Sequence, residues 1–260
     1  MQNIVGVDAS AMDEDDKSTM PETSCGSNTA LFCAQCSVRG RSICAMLDGQ
    51  ERKHLDKLVT SRSISAGSSI FGEGDESNHL YILTHGVVRL SKLLRDGRRQ
   101  IIGFLFAGDF LGKQNAGEYA CDAEAVTDTK LCSFSHPMLT RLSEAYPGIK
   151  DRLMAETTNE LEQAQEHILL LGQKTAAERV ASALLNFACR STGQSESPLT
   201  FTLPVSRQDL ADYLGLRIET VSRTLSRFRK SGLIRETSRT SMIIDDIDRL
   251  EDVASGDQFG

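Results

Sequence analysis

The stretch that most constrains this chain is residues 206–232, SRQDLADYLGLRIETVSRTLSRFRKSG. Its pattern predicts two short helices joined by a tight turn. Ser206 with Asp209 three residues on is a helix-start signature, because the hydroxyl satisfies a backbone N–H that the first turn leaves open. Leu210, Ala211 and Leu214 then form an apolar stripe at helical spacing, and Gly215 ends the helix with Leu216 behind it. The second helix is expected over about 217–230, with Ile218, Val221, Leu225 and Phe228 facing inward and Gly232 closing it. Its other face carries Glu219, Ser222, Arg223, Ser226, Arg227 and Lys230.

That polar face suits the major groove of DNA. Arg can clamp a guanine edge through two hydrogen bonds, and Glu can accept from a cytosine amine. Basic residues further along can meet phosphates. Between positions 206 and 235 seven Arg or Lys stand against three Asp or Glu, a balance of +4 in a chain of net charge −7. The local inversion favours a nucleic-acid face over an ordinary solvated hairpin.

At 260 residues the chain can bury a full core and divide into two domains. No charged-then-apolar leader opens it, and its longest apolar runs, such as 101–107, fall far short of a membrane span. A cytoplasmic protein without a membrane partner is therefore expected. The cytosol is reducing, so the seven cysteines are not expected to form disulfides, and their spacing becomes informative. Residues 1–24 hold six acids and one Lys with no apolar period, the pattern of a disordered acidic tail. Next come Cys25, Cys33, Cys36 and Cys44, in the pattern C-x7-C-x2-C-x7-C. Four thiols this close point to metal or redox chemistry. An iron–sulfur cluster needs four such corners, zinc accepts four thiolates equally well, and inert free thiols are the plain alternative.

A short helical pattern around 47–58 precedes a change to β character. Turn signals recur at Gly74, Gly86, Asp96-Gly97 and Gly108-Asp109, separated by 12, 11 and 11 residues, with runs such as HLYIL, VVRLSKLL and QIIGFLF between them. Short strands at that spacing predict a sandwich or barrel. Further strands are expected at 122–125 and 130–134; Cys132 there, and Cys189 later, read as small core residues. After Pro147-Gly148 a long helix begins. Ile149, Leu153, Thr157, Leu161, Ala164, Ile168 and Leu171 step by 4, 4, 4, 3, 4 and 3, a stripe that suits pairing with a second copy. Leu153, Leu161, Ala164, Ile168 and Leu171 are its candidate interface residues. Helices over 175–189 and a Ser/Gly/Pro linker lead to the helical pair, and residues 233–234 and 242–244 flank a polar turn that fits a β wing. No nucleophile–base set, phosphate loop or metal-spaced His pair supports an enzyme.

This order of parts resembles the CRP/FNR family of bacterial regulators, in its FNR branch with the FnrN and FixK types. The phrases that carry the likeness are ILLL at 168–171, AER at 177–179, DYLGL at 212–216 and ETVSR at 219–223. The resemblance implies an α+β chain: a jelly-roll, cyclic-nucleotide-binding-like β domain (double-stranded β-helix), a long dimerisation helix and a winged helix-turn-helix. It divides the sequence into a tail (1–24), a cysteine segment (25–46), the β domain (47–146), the dimerisation helix (147–173), the DNA reader (174–250) and a second tail (251–260). It also implies an oxygen-labile [4Fe-4S] cluster on Cys33, Cys36, Cys44 and Cys132, with Cys25 as the alternative ligand. Arg207, Glu219, Ser222, Arg223 and Arg227 would bind double-stranded DNA at a two-fold, TTGAT-like palindrome. Partners would be a second copy and RNA polymerase, and the targets anaerobic or microaerobic genes. Same-fold regulators gated otherwise remain as alternatives: zinc-stabilised, haem-binding through His79 or His85, or cyclic-nucleotide-binding. The stretch GKQNAGEYA at 112–120 lacks the phosphate cassette that the last requires.

Overall fold

The computed structural model describes Cys33 and residues 36–112, 117–192, 197–238 and 240–256. The expected acidic tail at 1–24 and Cys25 lie outside the described residues. After two 3-10 turns, Arg39–Arg41 and Ile43–Met46, comes helix α1 (Gly49–Leu58). Asp48 and Glu51 start it with a reciprocal capping box, each side chain holding a backbone N–H of the other's end.

Eight strands follow: β1 (Thr60–Ile64), β2 (Ser69–Phe71), β3 (His79–His85), β4 (Val88–Leu93), β5 (Arg99–Leu105), β6 (Phe110–Gly112), β7 (Asp122–Ala125) and β8 (Thr129–Ser135). They pair in two antiparallel sheets, ordered β1-β8-β3-β6 and β2-β7-β4-β5. Tyr81, Leu83 and Leu131 of the first sheet meet Phe71, Val88 and Ala123 of the second in the sandwich interior. Because side chains alternate along a strand, Leu80, Ile82, Cys132 and Phe134 point to the opposite face. That face is covered too, which is why β3 is buried almost continuously rather than at every second residue. At Gly86 (φ +91) a Cβ would stand 2.5 Å from the Asp128 carbonyl oxygen, so only glycine lets the β3–β4 turn approach β8.

The cover consists of the 3-10 turns, α1, α2 (His136–Ala145) and the start of α3 (Pro147–Gln173). α3 begins at the expected Pro147 and, at 1.5 Å per residue, runs about 40 Å. Beyond it lie α4 (Ala176–Thr192), β9 (Leu199–Thr202), α5 (Arg207–Leu214), α6 (Ile218–Lys230), β10 (Ile234–Glu236), β11 (Ser241–Ile244) and α7 (Ile247–Ser255). The expected wing is the β10–β11 pair, joined by β9 in the order β10-β11-β9.

Four expectations are corrected. The supposed second tail carries α7, whose Ile247, Leu250, Val253 and Ala254 are buried in the core shared with α4. The supposed linker contains β9, where Leu199 and Phe201 alternate inward. Cys189 is exposed on α4 rather than part of the core. Leu153 is 5% exposed and packs within the chain, whereas its neighbour Met154 is 64% exposed. Met154, Leu161 (59%) and Ile168 (70%) then repeat every seven residues, which is the coiled-coil period. Ala164 is exposed beside this stripe, and Leu171 is half-buried against the core of α4–α6.

Candidate nucleic-acid interface and thiol site

The helix pair forms as its residues require. The Ser206 hydroxyl accepts the Asp209 N–H at 3.0 Å, and Gly215 stops α5 in the left-handed region at φ 60. Leu216 N–H returns to the Ala211 carbonyl at 3.0 Å, which closes the turn. In α6, Val221, Leu225 and Phe228 are buried while Ile218 is 36% exposed, so the apolar face is narrower at its start than the spacing implied. Glu219, Arg223 and Arg227 are exposed and Ser222 is half-buried, all within one helical face. Arg207 stands apart from them. Its guanidinium meets Glu236 of β10 at 3.1 Å, and Arg229 meets the same carboxylate at 3.3 Å. The wing carboxylate therefore holds Arg207 at the edge of the reading face.

A polar seam that sequence reasoning missed joins the β sandwich to α5. Asp209, with its side chain 8% exposed, accepts from Arg89 at 2.8 Å and Arg99 at 2.6 Å. Arg99 also reaches Asp212 at 2.7 Å, Arg89 is forked onto Glu124, and Gln100 donates to the Asp212 carbonyl at 2.8 Å. The pairs that cross from the sandwich to α5 lie more than 100 positions apart in the chain, so no local pattern announces them.

Cys33, Cys36, Cys44 and Cys132 line one narrow space together with Arg39, Arg52 and Ile82. Cys132 is brought there by β8, opposite Ser61 of β1 and Ile82 of β3. Cys44 is brought by the second 3-10 turn, where the Ser42 hydroxyl accepts its N–H at 3.3 Å. Cys33 donates its backbone N–H to Asp56 of α1 at 2.9 Å. Burial pushes the Cys33 thiol up to about 12, helped by the Asp56 carboxylate. Burial likewise raises Cys132, and the proximity of Cys44, Cys33 and Cys36 raises it further. These thiols are therefore protonated unless a cation replaces their protons.

Four thiols around one space are the donor set of a sulfur-bound metal group. The space between them is narrow. Among the described residues no three His, Cys, Asp or Glu side chains converge closely enough to hold a single metal ion. The segment also abuts α3: Arg152 donates to the Arg41 carbonyl at 2.7 Å, Met46 packs on Gly148, and Ile43 shares a core with Ile149 and Leu153.

A larger cavity of about 580 Å³ lies between β5, α3 and α4. Its cations are committed, Arg190 to Asp109 and Lys174 to Ser182 and the Ala254 carbonyl, while Glu160 and Glu166 also line it. That lining is poor for a cyclic phosphate. His79 of β3 stacks on Tyr81 with ring centroids 5.9 Å apart, and His85 lies at the exposed end of the strand. No described helix is long and apolar enough to cross a membrane.

Residues 178–253 match the Crp-like helix-turn-helix domain, and residues 61–146 match the cyclic nucleotide-binding domain. The chain is 36% identical to the transcriptional activator protein FnrL of Cereibacter sphaeroides over 232 residues, covering 88% of this chain and 94% of the relative. It is 40% identical to the nitrogen fixation regulation protein FixK of Bradyrhizobium diazoefficiens over 78% of this chain and 86% of that one. The solved structure of FixK2 from Bradyrhizobium japonicum superposes with a TM-score of 0.69 at 36% identity, covering 75% of this chain and 96% of that chain.

Proposed function

The chain belongs to the CRP/FNR family of DNA-binding transcriptional regulators, and on that footing we propose an oxygen-responsive homodimer whose Cys33, Cys36, Cys44 and Cys132 hold a [4Fe-4S] cluster. The observation that carries the reading is the gathering of these four thiols, three from one segment and one from β8, around a single space. When bound, a cluster of this kind supplies an iron–sulfur group that oxygen attacks. The chain's own residues do the rest. Ligation would tie Cys33, Cys36 and Cys44 to β8, on a segment whose Arg41, Ile43 and Met46 touch the first turns of α3. That helix presents Met154, Leu161 and Ile168 to a second copy. Loss of ligation would remove the tie to β8 and weaken the hold on the pairing face, and a lone subunit reaches only one half-site.

On the DNA side, Arg223 faces the guanine of a TTGAT-like half-site, Glu219 the opposing base amines and Ser222 a neighbouring pyrimidine. Arg227, with Arg207 at the rim, serves phosphates. Contact with RNA polymerase through the β domain and control of anaerobic or microaerobic genes belong to the same reading, as does a cytoplasmic location.

Anaerobically purified protein should show a broad visible band with about four irons per subunit, and should sediment as a dimer. Air should bleach the band and shift the mass toward the monomer. A colourless protein, or an unchanged mass after bleaching, would refute the respective half of the reading. Arg223→Ala should weaken palindrome binding by about 1–3 kcal/mol, roughly 5- to 150-fold, while binding to scrambled duplex changes little. Equal losses on both duplexes would remove Arg223 from base reading.

A further inference from the structure

We propose that Arg52 of α1 is a positioning residue of the thiol site, its guanidinium offsetting the negative charge that four thiolates and their metal group place in the pocket. The inference rests on the cluster reading above. α1 is anchored by Leu55, which is 1% exposed in the core that also contains Cys44 and Cys132. Arg52 and Asp56 lie four residues apart on the same helical side as Leu55, so the anchor turns both toward the cysteines. Asp56 binds the Cys33 N–H, and Arg52 lines the space with all four thiols. The Arg52 Nε donates to the Asp48 carbonyl at 3.0 Å, which steadies the stem. Among the described residues the Arg52 guanidinium makes no ion pair.

Four thiolates around a doubly charged cluster core leave a net charge of about −2, and Asp56 adds to it; a buried anion of this size needs a cation nearby. Groups that support metal ligands in this way typically contribute 10- to 100-fold to metal retention.

The test compares full-length wild type, Arg52→Gln and Arg52→Lys, each loaded with ferrous iron and sulfide under argon. Iron, sulfide and the visible band are measured first, then the rate of iron loss to a chelator without oxygen, then the melting temperature of each metal-free chain. The inference expects Arg52→Gln to lose iron about 10- to 100-fold faster, Arg52→Lys to stay close to wild type, and the metal-free chains to melt together. Equal loss rates in wild type and Arg52→Gln would overturn it. So would equal failure of the Lys and Gln variants, or a lowered melting temperature of metal-free Arg52→Gln, which would mark a packing role. A wild type that takes up no iron would instead overturn the cluster reading, and this inference with it; that arm is scored before any variant.

Discussion

A chain carrying Cys132→Ala is expected to leave anaerobic purification colourless, while Cys25→Ser keeps its visible band and about four irons per subunit. Cys132 is the candidate ligand whose loss should cost most. The other three candidate thiols share one short segment, and Cys132 alone among the four belongs to the sandwich, 5% exposed on β8. Alanine keeps the small apolar character of the site, so β8 should still pair with β1 and β3. The variant should therefore fold yet lack the tie between the segment and the sheet. The variant should bind the palindrome no better than the air-exposed wild type. Cys132→Ala protein that retains the band, or Cys25→Ser protein that loses it, would move the fourth ligand to another thiol.

The second large effect is expected at Asp209. Asp209→Ala strands two guanidiniums in a seam where the side chains of Arg89 and Arg99 are only 17% and 28% exposed. Removing one partner from a buried pair typically costs about 3–5 kcal/mol. Glu124 and Asp212 retain part of the arginines' charge, so the lower end, about 3 kcal/mol, is expected. For a chain of this size that is a fall in Tm of roughly 6–12 °C. A cycle with Arg99→Ala should show coupling above about 0.5 kcal/mol. Strictly additive single and double variants would mean that the seam does not act as a unit.

Most of the reader was legible because its signals are local. Ser206, Gly215 and the spacing of Val221, Leu225 and Phe228 each act within a few residues of themselves, and the start of α3 at Pro147 is equally local. The strands of the sandwich were legible where Gly and Asp-Gly punctuate long apolar runs. They were missed at β1, TSRSI, whose residues are largely exposed, and at the three-residue β2 and β6. Leu153 was misplaced because spacing identifies a stripe without saying which of two neighbours faces the chain's own core. Packing of Ile43 and Ile149 decides for Leu153 and leaves Met154 outside. Cysteine spacing marked a candidate site, and Cys132 joined it only through resemblance, since nothing local ties position 132 to position 44. The seam of Arg89, Arg99 and Asp209 could not be read at all: in sequence it is three ordinary charges.

The bond from Gln100 to the backbone carbonyl of Asp212 differs from its neighbours in the seam, because it depends on where the helix lies and not on which side chain is there. A reader grafted from another regulator could accept that bond. Unless it brought carboxylates at both matching positions, it would leave Arg89 with Glu124 alone and Arg99 without either of its acids. The two halves of this molecule are thus not freely portable. Chimeras that exchange target specificity should preserve the whole of α5 and confine the exchange to α6, where Glu219, Ser222 and Arg223 can change without disturbing the join.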